Sequence, residues 1–257
     1  MASPSSPPSR PASTGGKAPI RIRCWMVAEE APSHDGTLCC SVWEAEEAFV
    51  DPEPIKRPKW GIQIYDTRSD SGKDMTRLKE LGLKIYKDTW EDRSAMGRGT
   101  LDRIDIYGLA MPEHTPTAER AERCKAHNME EIAARNATGK ADFYIPQMPQ
   151  DSLYPDRRSI LVIHRPQDKW DEPDEGGFLY VRWGHQFNMR KPEPDRGAVS
   201  SPERSDYKPE FFRYQYTDEV PGVLQNMRDG VEWFENNYVD SGLLDEELKQ
   251  AAEKEVK

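Results

Sequence analysis

The distribution of proline is the sequence feature that most limits what this chain can fold into. Five of its 21 prolines lie in residues 1–19 and nine lie in residues 145–210, whereas residues 61–110 contain none. Proline lacks a backbone N–H and its ring fixes φ, so it is excluded from helix interiors and central strands. We therefore expect a regular core in residues 61–110, a loop-rich region with short edge strands in residues 145–210, and a disordered Ser- and Pro-rich tail in residues 1–19.

Alternation of apolar and polar residues predicts the strands of a sheet. Residues 20–28 alternate cleanly, and residues 37–43 follow them after a Pro-Ser-His-Asp-Gly turn, which predicts a hairpin. Further strands are predicted at residues 61–66, 83–86, 103–110, 141–145, 159–165, 177–183 and 211–216. The runs at 159–165 and 177–183 are expected to pair as a second hairpin.

Three helices are predicted among these strands. A capping box at Ser71 begins a helix over residues 71–82, and Gly82 is placed to end it in a left-handed conformation. A longer helix is predicted over residues 115–136 and another over residues 222–238. The expected apolar face of the 115–136 helix consists of Ala118, Ala121, Met129, Ile132 and Ala133.

These elements predict an α/β or α+β fold, with a mixed central sheet of five to seven strands and three or four packed helices. Residues 20–240 have the length and composition of a single globular domain. A charged helix or tail is expected over residues 241–257.

Composition excludes several classes of protein. The formal net charge of −10 opposes binding to a phosphate backbone, so no nucleic-acid partner is expected. No apolar run approaches the roughly 20 residues that cross a membrane, so no membrane association is expected. The four cysteines are too few for a disulfide scaffold at this length, and no Cys-x-x-Cys spacing supports a zinc ribbon. Reduced thiols and the lack of an apolar leader predict a soluble, cytoplasmic protein.

Polar side chains follow three of the predicted strands. Ligands of open α/β sheets bind beyond the carboxyl ends of the strands, so parallel neighbouring strands would bring these side chains together. Such a group could perform acid–base chemistry or hold a divalent ion. The alternative is a set of separate polar residues, each at the start of a loop or helix. The candidate catalytic residues are Asp66, Glu113, His114 and His164.

A second candidate site is the loop over residues 67–73, which follows a predicted strand and opens a helix. Free N–H groups at a helix start attract anions, and Ser69, Ser71 and Lys73 could add donors. The loop lacks the glycine and hydroxyl spacing of a P-loop, so an ordinary capped helix start is the alternative. Arg98, in a glycine-containing segment, is a further candidate for contacting a substrate anion.

Two other groupings have weaker signals. The acidic segment over residues 167–175 lacks the spacing of a calcium-binding loop, so a solvated loop is expected there. Cys124 and His127 lie one helical turn apart in the 115–136 helix. Because they lie off its predicted apolar face, both are expected on the surface.

The sequence leaves two functional classes open. The first is a cytoplasmic enzyme that acts on a small polar or anionic substrate by acid–base or metal-assisted chemistry. The second is a non-catalytic module that binds a protein partner through its Pro-rich and acidic segments, since such segments often order on binding. The sequence specifies neither a cofactor nor a metal, and none of its motifs indicates a known family.

Overall fold

A computed structural model describes residues 22–48, 62–95, 103–137, 158–172, 176–183, 209–229 and 237–255. These residues form one mixed sheet of eight strands and four α-helices, which confirms the α/β class with one strand more than the predicted maximum of seven. The strands are β1 (Ile22–Ala31), β2 (Cys39–Ala48), β3 (Ile62–Asp66), β4 (Ile104–Gly108), β5 (Arg158–Ile163), β6 (Phe178–Trp183), β7 (Glu210–Tyr214) and β8 (Tyr238–Val239). The helices are α1 (Met75–Ala95), α2 (Thr117–Ala137), α3 (Tyr216–Asp229) and α4 (Ser241–Glu255). The predicted tail over 1–19, the predicted strand over 141–145 and Arg98 lie outside the described residues.

The centre of the sheet is parallel and its two sides are antiparallel. The strand order is β1-β2-β4-β3-β5-β6-β7-β8, and only the β4–β3 and β3–β5 pairs are parallel. The chain passes from β3 through α1 to β4 on one side, and then through α2 to β5 on the other side. The strand order therefore reverses at β3, and such a reversal is where open α/β sheets bind their ligands.

The helices cover both faces of the sheet. Buried residues of α1 and α3 belong to one hydrophobic cluster, and buried residues of α2 and α4 belong to the other. None of the helices in the described part of the chain is long and apolar enough to cross a membrane.

Helix α1 is longer than predicted. It continues through Gly82 to Ala95, so the strand predicted at residues 83–86 is wrong. A Cβ at Gly82 would lie 2.7 Å from Cγ2 of Val42, on β2. Gly82 therefore allows the helix to approach the sheet closely and does not end it, and Ile85 continues the buried face of the helix.

The hairpin of β5 and β6 is confirmed, but its expected position at the edge of the sheet is wrong. β5 pairs with β3 on one side and with β6 on the other, and β6 also pairs with β7. The described prolines of this region, including Pro166, lie outside both strands. The prolines of this region that the structure describes therefore lie in connections and not in strands.

The buried face of α2 differs from the apolar face predicted for it. Met129 is 46% exposed, and Ala133 is also exposed. The helix is buried instead along a stripe at helical spacing in which polar residues predominate. This stripe comprises Thr117, Arg120, Ala121, Cys124, His127, Asn128 and Glu131.

β7, α3 and α4 agree with the predicted types and differ in their bounds, whereas Tyr238, the last residue of the predicted 222–238 helix, lies in the strand β8. The strand predicted at 211–216 is β7, and α3 begins at Tyr216, six residues before the predicted start. Residues 230–236 of the predicted helix lie outside the described residues. Helix α4 packs against the sheet through Leu244, which is 1% exposed.

Candidate functional site

The parallel strands β4, β3 and β5 end at the same edge of the sheet, so the polar residues that end or follow them share that edge. Asp66 ends β3 and is buried, and its carboxylate accepts two hydrogen bonds from the Arg68 guanidinium, at 2.8 and 2.7 Å. The Ser71 hydroxyl donates to the Asp66 carbonyl oxygen at 2.7 Å. Asp66 and Ser71 therefore lie together, and each has a partner within the β3–α1 loop.

The loops after β3 and β4 are also joined. The Ser69 hydroxyl donates to a Glu113 carboxylate oxygen at 3.2 Å, on the exposed surface. His114 and Lys73 are both exposed. All four residues lie in loops at the same edge of the sheet, but the side chain of His114 is exposed to solvent.

A cavity of about 270 Å³ opens between the β3–α1 loop, the first turns of α1 and Gln167 of the β5–β6 loop. Its wall contains both signs of charge, including Asp66, Arg68, Asp70 and Arg77. Neither His114 nor His164 is among the residues that line it. The cavity therefore brings Asp66 and Ser71 to one surface without the two histidines predicted to join them.

His164, directly after β5, is buried at 8% exposure. Both of its ring nitrogens are buried and make no hydrogen bond within the described part of the chain. Burial lowers the pKa of His164 well below its ordinary value, and the nearby guanidinium groups of Arg165, Arg120 and Arg213 lower it further. The imidazole is therefore neutral near neutral pH, and the positive charges of three arginines disfavour its protonation.

Arg120 is the most buried of these cations. It is 2% exposed, and burial lowers its pKa. Its guanidinium donates to the Thr67 carbonyl and hydroxyl oxygens at 2.7 and 2.8 Å, and to the carbonyl oxygens of Pro112 and Glu113 at 3.1 and 3.3 Å. None of these acceptors carries a charge, although buried charges usually have a partner of opposite charge.

Arg165 and Arg213 share one carboxylate, from helix α4. Glu247 lies 2.6 Å from Nη2 of Arg213 and 3.6 Å from Nη2 of Arg165. The Glu247 side chain is 37% exposed, whereas those of Arg165 and Arg213 are 7% and 11% exposed. The largely buried guanidiniums of Arg165 and Arg213 therefore pair with a carboxylate that is partly exposed at the protein surface.

A second cluster lies on the α2 face of the sheet, where the β1–β2 loop contacts α2. His34 and Asp35 come from the loop, and His127 and Glu131 come from one face of α2. One donor atom from each residue lies within 4.8 Å of the donor atoms of the others. The expected surface position of Cys124 and His127 is therefore wrong, since they are 0% and 6% exposed.

Hydrogen bonds fix this second cluster on several sides. Nδ1 of His34 lies 2.7 Å from Oε1 of Glu131, and Nδ1 of His127 lies 3.1 Å from the Tyr65 hydroxyl. Burial opposes protonation of His34, but its contacts with Glu131 and Glu130 raise its pKa overall. Burial also lowers the pKa of His127. Two imidazoles and two carboxylates of this kind could hold a metal ion.

Sequence analysis did not find either the arginine group or the cluster on α2. The acidic segment after His164 contains ordinary surface contacts, including an ion pair of Lys169 with Glu172 at 2.7 Å, and residues 173–175 lie outside the described residues. One available signal was the spacing of His127 and Glu131, four residues apart and so on one helix face. No protein-family model matches the sequence, and no curated protein and no solved structure matches it either.

Proposed function

We propose that this protein is a cytoplasmic enzyme that acts on a small polar substrate carrying an anionic group, a phosphate or a carboxylate. The observation that carries the proposal is the pair of largely buried guanidiniums, Arg165 and Arg213, that share the partly exposed Glu247 carboxylate. Arg165 is next in the chain to the buried His164, at the edge where β3 and β5 end. Cation groups of this kind recognise carboxylates and phosphates, and switch points of parallel sheets bind ligands. Cys39, Cys40 and Cys124 are buried and form no disulfide among the described residues, which supports the cytoplasmic location.

In this proposal, the Glu247 carboxylate occupies the place that the substrate anion takes. Arg213 and Arg165 hold Glu247 now, and they would hold an anion that displaced it. Because Glu247 is partly exposed, its displacement does not require the core to open. Arg120, whose hydrogen-bond acceptors among the described residues are neutral, adds to the positive potential at this place.

His164 is the proposed proton-transfer group. A base needs its lone pair free at the working pH, and the lowered pKa of His164 keeps the imidazole neutral. The cavity beside Asp66 and Gln167 lies at the same edge of the sheet and is proposed to hold the polar remainder of the substrate. Asp66, Glu113 and His114 stay candidate catalytic residues, and Ser69, Ser71, Lys73 and Arg98 stay candidates for substrate contact.

The test is a thermal-shift screen of the full chain with phosphate monoesters, nucleotides and dicarboxylates, each beside its neutral analogue. A ligand that binds the native state raises the melting temperature by mass action, so anions should raise it and their neutral analogues should not. The Arg213→Gln variant should lose roughly tenfold or more in affinity, because it removes a charge-assisted hydrogen bond. Glu247→Gln should bind the anion more tightly, because the competing carboxylate is gone.

The matched control is Arg123→Gln. Arg123 lies on α2 like Arg120, but its side chain is 55% exposed and pairs with Glu119. This variant should bind as the unmodified protein does. A screen in which no anion raises the melting temperature, or full turnover in the His164→Gln variant, would contradict the proposal and favour a protein-binding module.

A further inference from the structure

We propose that His34, Asp35, His127 and Glu131 form a binding site for one first-row divalent transition-metal ion of the Zn²⁺ type. The four residues join the β1–β2 loop to α2, on the face of the sheet that α2 covers. The inference does not rest on the proposed anion site, since none of its residues takes part there. Either proposal can therefore fail without the other.

The separations within the cluster are close to those between ligands of one ion. Tetrahedral Zn²⁺ lies about 2.0–2.2 Å from imidazole nitrogen and carboxylate oxygen, so neighbouring ligand atoms are about 3.3 Å apart. Here Nδ1 of His34 lies 2.7 Å from Glu131 Oε1, and Nε2 of His127 lies 3.5 Å from Asp35 Oδ1. Each pair joins an imidazole nitrogen to a carboxylate oxygen, and the two distances lie on either side of the expected separation of about 3.3 Å.

The Nε2 atom of His127 provides an independent sign of a ligand. The His127 side chain is 5% exposed, and this nitrogen is buried and makes no hydrogen bond to any described residue. Buried polar atoms are nearly always hydrogen-bonded, so an orphaned nitrogen needs an explanation. It faces Asp35, within the cluster, and a metal ion there would accept its lone pair.

The surroundings of His127 match those of a metal-binding histidine. Its other nitrogen, Nδ1, lies 3.1 Å from the Tyr65 hydroxyl, and an Nδ1–H that donates to this oxygen leaves the Nε2 lone pair free. Metal-bound histidines commonly use the second nitrogen in this way. The rings of Tyr65 and Tyr107 lie edge-on to the imidazole, at 5.6 and 5.0 Å between centroids, and hold its plane in place.

The donor set determines the class of ion. Two imidazole nitrogens with two carboxylate oxygens suit Zn²⁺ and its first-row neighbours, whereas Ca²⁺ and Mg²⁺ prefer oxygen ligands throughout. His127 and Glu131 form the buried side of the site, and Asp35, at 43% exposure, forms its solvent side. An ion can therefore enter from solvent without movement of α2.

The loop that supplies two ligands is already shaped. The Asp35 carboxylate accepts hydrogen bonds from the Thr37 backbone N–H at 2.9 Å and from its hydroxyl at 3.0 Å. Gly36 provides the left-handed turn, with φ of 84°. Because the loop is held by its own contacts, binding of the ion needs little further ordering.

The experiment measures metal content and binding on the full chain. Protein purified with metal supplementation should contain close to one equivalent of zinc by mass spectrometry of the elements. After chelation, calorimetric titration with ZnCl₂ should return one site, and the melting temperature should rise on addition of the metal. Co²⁺ in place of zinc should give the visible absorption of a four-coordinate nitrogen and oxygen site.

Variants separate ligands from neighbours. Asp35→Asn and His34→Gln change ligands on the solvent side, where folding is least affected, and each should abolish stoichiometric binding. Tyr65→Phe should weaken binding by roughly 10- to 100-fold, as loss of a supporting hydrogen bond does at other metal sites. The control is Glu119→Gln, an exposed carboxylate on α2 outside the cluster, which should bind zinc as before.

The outcomes decide the proposal in either direction. One equivalent of metal that is lost in Asp35→Asn and His34→Gln, and kept in Glu119→Gln, supports it. Absence of stoichiometric binding of both Zn²⁺ and Co²⁺ overturns it. Equal binding by the Asp35→Asn and His34→Gln variants and the unmodified chain overturns it as well, because the metal would then lie elsewhere.

Discussion

Two glycines hold the β3–α1 loop against the end of β4, and replacing them tests the geometry of the strand-end site directly. A Cβ at Gly72 would lie 2.3 Å from the Gly108 carbonyl oxygen, and φ at Gly72 is +70°. A Cβ at Gly108 would lie 2.6 Å from the Gly72 nitrogen. Because both obstacles are backbone atoms, neither can rotate away.

Two other glycines, Gly36 and Gly222, help to separate backbone strain from steric clash in the expected loss of stability. Gly36 has φ of +84° with nothing within 4 Å of an added Cβ, so Gly36→Ala has only the left-handed strain, about 1–2 kcal/mol. For Gly108→Ala the loss of stability comes only from the steric clash, and overpacking of this kind costs about 1–3 kcal/mol. Gly72→Ala has both, so we expect a loss of about 2–5 kcal/mol in the free energy of unfolding. Gly222→Ala, in open space on α3, should be stabilising by up to about 1 kcal/mol.

The assay is equilibrium unfolding in urea, followed by tryptophan fluorescence, with a chelator present so that bound metal does not contribute. Equal slopes against urea among the four variants would show that unfolding exposes the same surface in each, so that shifts of the midpoint report changes in stability. The order of stability should be Gly222→Ala, then the Gly36→Ala and Gly108→Ala variants, then Gly72→Ala. A Gly72→Ala variant no less stable than Gly36→Ala would refute the close contact between the two loops.

Two further predictions concern titrating groups. The folded state lowers the pKa of His164, so below about pH 6.5 the unfolded chain binds a proton that the native state excludes. The free energy of unfolding should therefore fall as the pH drops below about 6.5, by about 1.4 kcal/mol per pH unit. The His164→Gln variant should lack this part of the slope in urea unfolding at several pH values, and an unchanged slope would contradict the burial of the imidazole. Burial raises the pKa of Cys40 to about 12 and raises that of Cys124 above its usual range, so neither thiol should react with a thiol reagent at pH 8 until urea unfolds the chain. Rapid labelling of Cys124 in the native protein, located by peptide mass spectrometry, would count against its position in the core.

Local patterns were sufficient to predict most strands, because each strand is a short run with its own periodicity. The run before Asp66 and the run before His164 both became central strands. The length of α1 could not be predicted in the same way. A glycine such as Gly82 suits a helix end and also suits close packing on a sheet, and only the approach of Val42 decides between the two.

The parallel arrangement of β4, β3 and β5 was a condition of the sequence-based site, and the sheet has that arrangement. The two predicted histidines nevertheless do not share a site, because His114 lies in an exposed turn while His164 is buried. The second cluster could not be predicted, because His34 and Glu131 are far apart in the chain and only the fold brings them together. Its residues are also polar, so a search for an apolar face on α2 excluded them.

The polar stripe of α2 connects the two proposals. Arg120, near the start of the helix, contributes to the cations around His164, and two turns later His127 and Glu131 contribute to the metal cluster. Burial of such groups is costly, and apolar residues of similar size at buried ionic positions often give equal or greater stability. A helix packed on this sheet for stability alone would place aliphatic residues along that stripe. The polar residues found there belong to two groups, and each group includes a histidine, His164 or His127, with a ring nitrogen that has no hydrogen-bond partner among the described residues. Both proposals rest on this arrangement, since folding alone gives no reason for it.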